Sequence, residues 1–187
     1  RSNYSRRLSL AYSKILNYTF NKDSFVNLPT QNDPINLDKN RIKVSVIVPN
    51  YNYSQFLKER LGSILNQTYT PVEIIFLDDA STDDSVDVAE KLLRNSTVES
   101  SIVTNKTNKG VFKQWQTGVK KAKGDYVWIA EADDSASPYF LQELVGRIWQ
   151  EKSVIAYCQS KVIDENGVLI RAGNYHHTDD LSLTRWK

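Results

Sequence analysis

The sequence predicts an α/β fold in which a mostly parallel sheet is flanked by helices. Short apolar runs alternate with longer segments whose apolar residues recur at helical spacing, from Lys43 to about residue 160. Strands separated by helices are joined by crossovers, and crossovers align neighbouring strands in parallel. Polar and acidic residues follow several of the runs, and the carboxyl ends of parallel strands are where such sheets bind ligands.

Five strands and four helices are predicted in this region. The strands are the apolar runs at residues 44–48, 72–77, 101–104, 125–130 and 153–158. The helices follow apolar stripes at residues 53–65, 81–93, 111–122 and 138–149. Pro49 is expected to stop the first strand, and Gly124 to end the third helix in a left-handed turn. Ser81 and Asp84 have the spacing of a capping box, which would open the second helix.

The chain divides into two regions by its patterning. Residues 1–42 combine a predicted amphipathic helix over 6–18 with a polar linker over 21–41. Residues 43–187 form the predicted α/β domain, with a short β-hairpin near the C-terminus that turns at Asn166 and Gly167. The sequence contains no methionine, so we expect it to be a piece of a longer protein.

Composition narrows the class of protein. The formal net charge is only +2 and no long basic stripe occurs, so nucleic acid is not an expected partner. No apolar stretch approaches the roughly 20 residues that a membrane-spanning helix needs, and no signal peptide is expected. The single cysteine, Cys158, lies in an apolar run and is expected in the core. These features predict a cytoplasmic location and leave open a peripheral association with the inner membrane face in the full-length protein.

Polar residues gather after three of the predicted strands. They occupy residues 49–52, 78–81 and 131–134, and the last of these segments carries three carboxylates within four residues. Helix capping and turn formation explain several Asp and Asn side chains of this kind. Clustered carboxylates repel one another unless a cation lies among them, and Mg²⁺ typically uses one or two carboxylates with substrate phosphates. The acidic segment therefore predicts a metal–diphosphate site.

Other nucleotide-binding folds lack their required residues here. No Gly-x-Gly-x-x-Gly follows the first strand, and no Gly-x-x-x-x-Gly-Lys-Ser/Thr occurs anywhere in the sequence. A receiver domain would need its acidic pair after the first strand, whereas the pair here, Asp78 and Asp79, follows the second. The dinucleotide, P-loop and receiver folds are therefore not expected.

Five motifs occur in a fixed order between residue 43 and about residue 170. They are residues 44–52, residues 63–69, residues 78–83, the spacing Asn108, Gly110, Gly118 and Gly124, and residues 132–134 with Pro138. In this order they resemble the family 2 glycosyltransferases. The resemblance implies a GT-A fold, which is Rossmann-like, and binding of a nucleoside-diphosphate sugar with Mg²⁺ or Mn²⁺. A UDP-sugar is the first expectation for the donor.

The resemblance also implies roles for individual residues. Pro49 and Tyr51 would line the base and ribose pocket, with packing of Tyr51 against the sheet edge as an alternative. Asp79 would accept a hydrogen bond from the base edge. Asp133 and Asp134 would face the ribose and the metal-bound diphosphate, with Asp134 as the favoured metal ligand, its carboxylate facing a cleft.

Two positions depart from the family pattern. Glu131 stands where the family has the first Asp of its acidic motif. Trp115 stands where many members have Arg in the third helix. An indole cannot replace a phosphate-facing guanidinium, so Trp115 is expected in the core.

The resemblance implies inverting sugar transfer to a saccharide acceptor, in polysaccharide or surface-glycan synthesis. Such a transfer needs a carboxylate base for the acceptor hydroxyl. In the family that base lies well beyond the acidic motif, so it is expected beyond Lys187 and no catalytic residue is assigned. The chain alone is then expected to bind the donor without transferring sugar. The alternative is a non-catalytic module that binds nucleotide or acts as a scaffold in a larger synthase.

Overall fold

The computed structural model describes residues 42–151, 153–158, 161–164 and 168–171. Four strands form a parallel sheet: β1 (Val44–Asn50), β2 (Glu73–Asp78), β3 (Glu99–Thr104) and β4 (Tyr126–Ile129). The helices between and after them are α1 (Ser54–Leu65), α2 (Ser85–Leu93), α3 (Val111–Lys121) and α4 (Phe140–Glu151). The strand order is β3-β2-β1-β4, and this confirms the predicted parallel α/β fold. The predicted helix over 6–18 and the linker over 21–41 lie outside the described residues.

The two central strands separate two apolar layers. All residues of β1 and β2 are buried, because both strands have a neighbour on each side and helices on both faces. Alternate side chains of a strand point to opposite faces. Val46 and Val48 therefore join the cluster that includes residues of α1, α2 and α4, whereas Ile47 packs on the other face, against α3.

Pro49 ends one ladder and not the strand. The pairing of β1 with β2 continues to Asn50, opposite Asp78, whereas the pairing with β4 ends at Ile47, opposite Ile129. The Ile47 carbonyl accepts a hydrogen bond from Ala130 N, so the backbone groups of Ile47 point toward β4. Residues two apart in a strand point their backbone groups to the same side, so the nitrogen of Pro49 also points toward β4. Proline has no N–H to continue that ladder. The prediction that Pro49 stops the strand is therefore wrong.

The predicted capping box is also wrong. Helix α2 begins at Ser85, and its N-cap residue Asp84 makes no side-chain capping bond. Ser81 instead donates from its backbone N to Asp78 Oδ2 at 2.9 Å and from its hydroxyl to Asp78 Oδ1 at 2.5 Å. A local turn of this kind competes with helix capping for the same side chains.

Helix α3 packs through its smallest residue and not through its apolar stripe. Gln114 and Gly118 are its buried residues, whereas Phe112 is 71% exposed and Val119 is 52% exposed. The apolar stripe did not predict the buried face of α3, because Gly118 lets the helix approach Ile47 closely on a different face. Gly124 does not adopt the predicted left-handed turn, since Gly110 is the one described glycine with a positive φ, at 84°.

The C-terminal part holds a small separate sheet. Strands β5 (Val162–Ile163) and β6 (Leu169–Arg171) pair antiparallel, which confirms the predicted hairpin, although its turn residues lie outside the described ones. The apolar run at 153–158 forms no strand, and Cys158 is exposed and not in the core. A short apolar run does not select a strand by itself. No helix among the described residues is both long and apolar enough to cross a membrane.

Candidate functional site

Hydrogen bonds join the carboxyl ends of β1 and β2. Asp79 N donates to the Asn50 carbonyl at 2.9 Å, and Asn50 Nδ2 donates to Asp78 Oδ1 at 2.9 Å and to Ser81 Oγ at 3.1 Å. Asn50 and Asp78 are buried, with exposures of 3% and 2%. The carboxyl edge of the sheet is therefore a fixed platform, and ligands of parallel α/β sheets bind above such an edge.

The loops that follow these strands hold each other in strained conformations. Asn52 and Ala80 have positive φ angles of 57° and 63°, which are uncommon for residues other than glycine. Asn52 N donates to Ser81 Oγ at 2.9 Å, and its side-chain oxygen accepts from Thr82 N at 2.7 Å. Local strain of this kind clusters at functional sites.

Asp79 anchors the loop between β3 and α3. Its carboxylate accepts hydrogen bonds from Asn105 Nδ2 at 2.8 Å, Lys109 N at 2.9 Å and Gly110 N at 2.8 Å. Burial raises the pKa of Asp79, but the donors of this loop outweigh burial and hold the pKa below its ordinary value. The side chain is 2% exposed. A direct contact to a base edge stays a prediction, and loop anchoring is a role that sequence reasoning missed.

The acidic segment follows β4 at the same edge. Glu131 is half-buried, and its Oε1 accepts a hydrogen bond of 2.8 Å from the indole Nε1 of Trp115. Burial raises the pKa of Glu131. The hydrogen bond from Trp115 and the charge of Arg60 lower this pKa, whereas the charge of Asp133 raises it further, and the net shift is upward. Trp115 is half-buried at the edge of the site and not in the core as expected.

Arg60 contacts the acidic segment from the interior of the domain. It lies on the inward face of α1 and is 2% exposed. Its Nε donates to the Glu131 carbonyl at 2.7 Å, and its guanidinium lies 5.5 Å from the ring centre of Trp128. Burial lowers the pKa of Arg60 to about 10, although Asp134 raises it, so the side chain is charged at neutral pH. Sequence reasoning missed Arg60; the signal was a single charge within the apolar stripe of the first predicted helix.

The five predicted site residues all lie at this edge but differ in access. Pro49 is buried within β1, whereas Tyr51 is 44% exposed. Asp133 is partly buried. Asp134 is only 5% exposed, and its Oδ2 lies 3.7 Å from Arg60 Nη2. Asp134 is therefore much less accessible than the expected cleft position, and its role as a metal ligand stays a prediction.

The carboxylates of the acidic segment can be compared with the ligands that a divalent cation needs. Among the residues that the structure describes, no three His, Cys, Asp or Glu side chains form a group that could hold a metal alone. Glu131 and Asp133 nevertheless lie two residues apart after β4, and both are partly buried. Mg²⁺ needs only one or two carboxylates when phosphate oxygens complete its coordination.

A parallel sheet with cross-linked loops and an acidic segment at its carboxyl edge defines the class of α/β proteins whose ligand sites lie above the strand ends. The particular family is established by comparison with known sequences. The chain matches glycosyl transferase family 2 over residues 45–185 and belongs to that family. The resemblance of its five motifs is thereby confirmed.

Relatives in sequence carry the name glycosyltransferase. An uncharacterized glycosyltransferase of Nostoc is 33% identical over 126 residues, which are 67% of this chain and 38% of that protein. Glycosyltransferase GlyG of Streptococcus pneumoniae is 33% identical over 139 residues, which are 73% of this chain and 40% of that protein. The chain therefore spans about two fifths of the length of these relatives.

Solved structures support the same fold. Residues 1–349 of S. aureus TarS in complex with UDP-GlcNAc match with a TM-score of 0.55 and 31% identity, over 60% of this chain and 32% of that one. The mannosyltransferase PcManGT of Pyrobaculum calidifontis in complex with GDP-Man and Mn²⁺ matches with a TM-score of 0.54 and 27% identity, over 59% and 33%. The GT-A fold implied by the motifs is thus confirmed.

Proposed function

We propose that this domain binds a nucleoside-diphosphate sugar with Mn²⁺ or Mg²⁺ and is the donor site of an inverting glycosyltransferase. The observation that carries the proposal is the acidic segment at the end of β4, beside the cross-linked loops after β1 and β2. Relatives solved with UDP-GlcNAc, and with GDP-Man and Mn²⁺, support this ligand class. A UDP-sugar is the proposed donor, and a saccharide of a polysaccharide or surface glycan is the proposed acceptor.

The base and ribose are proposed to lie over the ends of β1 and β2. Tyr51 is 44% exposed and offers a ring for stacking, while Pro49 beneath it shapes the floor of the pocket. Asp79 is proposed to accept a hydrogen bond from the base edge and to hold the loop that contains Lys109 beside the base, since each carboxylate oxygen can accept more than one hydrogen bond.

We propose that Asp133 coordinates the metal. Asp134 was the favoured ligand from the sequence, but its carboxylate is buried beside Arg60. A carboxylate that already compensates a buried guanidinium is poorly placed to coordinate a cation as well. We therefore propose Asp133 as the principal ligand and Asp134 as a contributor of negative charge behind it.

When bound, the divalent cation would neutralise the charge that develops on the diphosphate leaving group. The chain's own residues hold the donor: the loops after β1 and β2 orient the nucleotide, and Arg60 fixes the acidic segment from within the domain. Fixed orientation of the reacting groups is itself a large contribution to the rate. The base that accepts the acceptor's proton is proposed to lie outside residues 1–187.

The direct test is calorimetric titration of UDP, GDP and other nucleoside diphosphates in the presence of Mn²⁺ and then of EDTA. We expect binding that depends on Mn²⁺, because the acidic segment repels a diphosphate without a cation. A ligand at 100 times its dissociation constant should also add about 2.7 kcal/mol to the free energy of unfolding. Equal affinity in Mn²⁺ and EDTA would remove the metal from the proposal.

The variant Asp133→Asn should lose the response to Mn²⁺. Asp125→Asn is a matched control, since Asp125 is exposed and directly precedes β4, at the opposite end of that strand from the acidic segment. If the two variants respond alike, Asp133 is not the ligand. Hydrolysis or transfer of the donor sugar by the full-length protein separates an enzyme from a non-catalytic module. Metal-dependent binding with neither reaction would favour the module.

A further inference from the structure

The two residues that depart from the family pattern are in direct contact. Trp115 donates its indole N–H to Glu131 at 2.8 Å, across 16 positions of sequence. Phe112 packs edge-on against the Trp115 ring, with ring centres 5.2 Å apart and planes at 80°. The contact therefore ties α3 to the segment that follows β4.

Glu131 is also held from the other face of the sheet. Arg60 of α1 donates to its carbonyl at 2.7 Å, while Trp115 of α3 holds its carboxylate. Helix α3 packs on the face that carries Ile47, and α1 packs on the opposite face. Two helices thus fix the backbone and the side chain of the same residue, at the start of the acidic segment.

The indole has an effect on charge that a cationic partner would not have. Its N–H directs the carboxylate but carries no positive charge, whereas a guanidinium at this position would direct and neutralise it together. The Trp115 contact therefore directs the Glu131 carboxylate without adding a positive charge beside it. Arg60 is shared with Asp134 and contacts the Glu131 carbonyl, not its carboxylate, among the described hydrogen bonds.

We propose that Trp115 is a positioning residue for metal-dependent nucleotide binding and that it acts through Glu131. The indole N–H of Trp115 orients the Glu131 carboxylate. Glu131 is the first residue of the acidic segment, so this contact also helps to position the segment that would bind the cation. The inference rests on the proposed function, because it names the residue that orients the same site. It assigns no contact between Trp115 and the ligand.

The test uses the full chain and calorimetric titration of UDP with Mn²⁺. Trp115→Phe keeps a ring and removes the N–H, so UDP binding in Mn²⁺ should weaken by about 10-fold to 100-fold, the range typical of losing an outer hydrogen-bond partner of a metal site. Trp149→Phe is the matched control, since Trp149 is 62% exposed on α4, and it should bind as the parent does.

A double variant shows whether the effect passes through Glu131. In a Glu131→Ala background, Trp115→Phe should change UDP affinity by less than about 2-fold, because residues that act through one contact are not additive. The indole N–H signal of Trp115 in a ¹H–¹⁵N spectrum reports the contact without any ligand. It should move when Glu131 is replaced, while the Trp149 signal should not.

The outcomes separate the inference from the proposed function. No Mn²⁺-dependent binding by the parent chain would overturn the proposed function and this inference with it. Binding by the parent and equal binding by Trp115→Phe would overturn the inference alone. An equal loss in the parent and Glu131→Ala backgrounds would also overturn it, because Trp115 would then act by another route.

Discussion

Single side chains at the carboxyl edge are buried with specific partners. Asp79 is stabilised as an anion by backbone N–H groups and an amide, with no cation among the donors that the described residues provide. Arg60 and Asp134 form a buried ion pair instead. Burying charge is costly unless such partners are present. The folding of this edge therefore depends on the protonation of a few groups, which makes Asp79 a testable case.

Replacing Asp79 by Asn should lower stability at neutral pH by about 1 to 3 kcal/mol, because a charged acceptor of several hydrogen bonds is lost. The pKa of Asp79 is depressed in the fold, so its contribution is present above the unfolded value, about 3.9. It is lost as the pH falls through the folded pKa. The free energy of unfolding should thus fall more steeply below about pH 4 for the parent than for Asp79→Asn.

Urea unfolding at a series of pH values measures both slopes. Asp83 also has a depressed pKa, through bonds from Ser85 and Ser54 that outweigh its burial, but it is present in both proteins and cancels in the comparison. Equal slopes for the parent and Asp79→Asn would contradict the anchoring role of the Asp79 carboxylate.

At the scale of elements, the position of α3 depends on a glycine. A Cβ placed on Gly118 would lie 2.4 Å from Ile47 Cγ2 and 2.7 Å from its Cδ1. Ile47 is completely buried in β1, so it has little room to move. Gly118 therefore sets the distance between α3 and the sheet, and with it the place of Trp115 one turn earlier.

Gly118→Ala should destabilise the fold by about 1 to 3 kcal/mol, the usual cost of overpacking a filled core. Gly62→Ala is the matched control, since Gly62 lies within α1 and a Cβ there would meet nothing within 4 Å. Alanine at that position should stabilise by about 0.5 to 1 kcal/mol, because glycine costs that much in a helix. Chemical denaturation of both variants measures the difference; the same sign for both would show that α3 moves freely.

At the scale of the whole molecule, stability is concentrated in the central strands. Every residue of β1 and β2 is buried, whereas β3 is largely exposed and pairs only with β2 in the described sheet. Regions with few buried contacts open locally at lower free energy than the core. The molecule is therefore expected to loosen first at the β3 edge.

Native-state hydrogen exchange should reveal this order directly. The backbone amides of β1 and β2 should exchange slowest, near the limit set by global unfolding, and those of β3 should exchange faster through local opening. Two-dimensional spectra recorded over time in deuterated buffer provide the rates. Protection of β3 equal to that of β1 would contradict the expectation and indicate a further neighbour on that edge.

The sequence by itself determined the class of fold and the edge of the sheet where the predicted site residues lie. Buried strands and amphipathic helices have local periodicities, and a crossover between strands leaves them parallel, so this level of structure is readable from patterning. The hairpin of β5 and β6 was readable for the same reason, since Asn166 and Gly167 favour a tight turn. The prediction of a strand at 153–158 was wrong, because an apolar run forms a strand only where a neighbouring strand is available to pair with it.

Only the tertiary structure decided how the site residues are used. Asp79 meets Lys109 across 30 positions of sequence, Arg60 meets Glu131 across 71, and Trp115 meets Glu131 across 16. Each of these side chains can form hydrogen bonds with several kinds of partner, and its neighbours in the sequence do not determine which partner it contacts. The partner is set by which helix packs on which face of the sheet, and that packing is a property of distant residues brought together by burial.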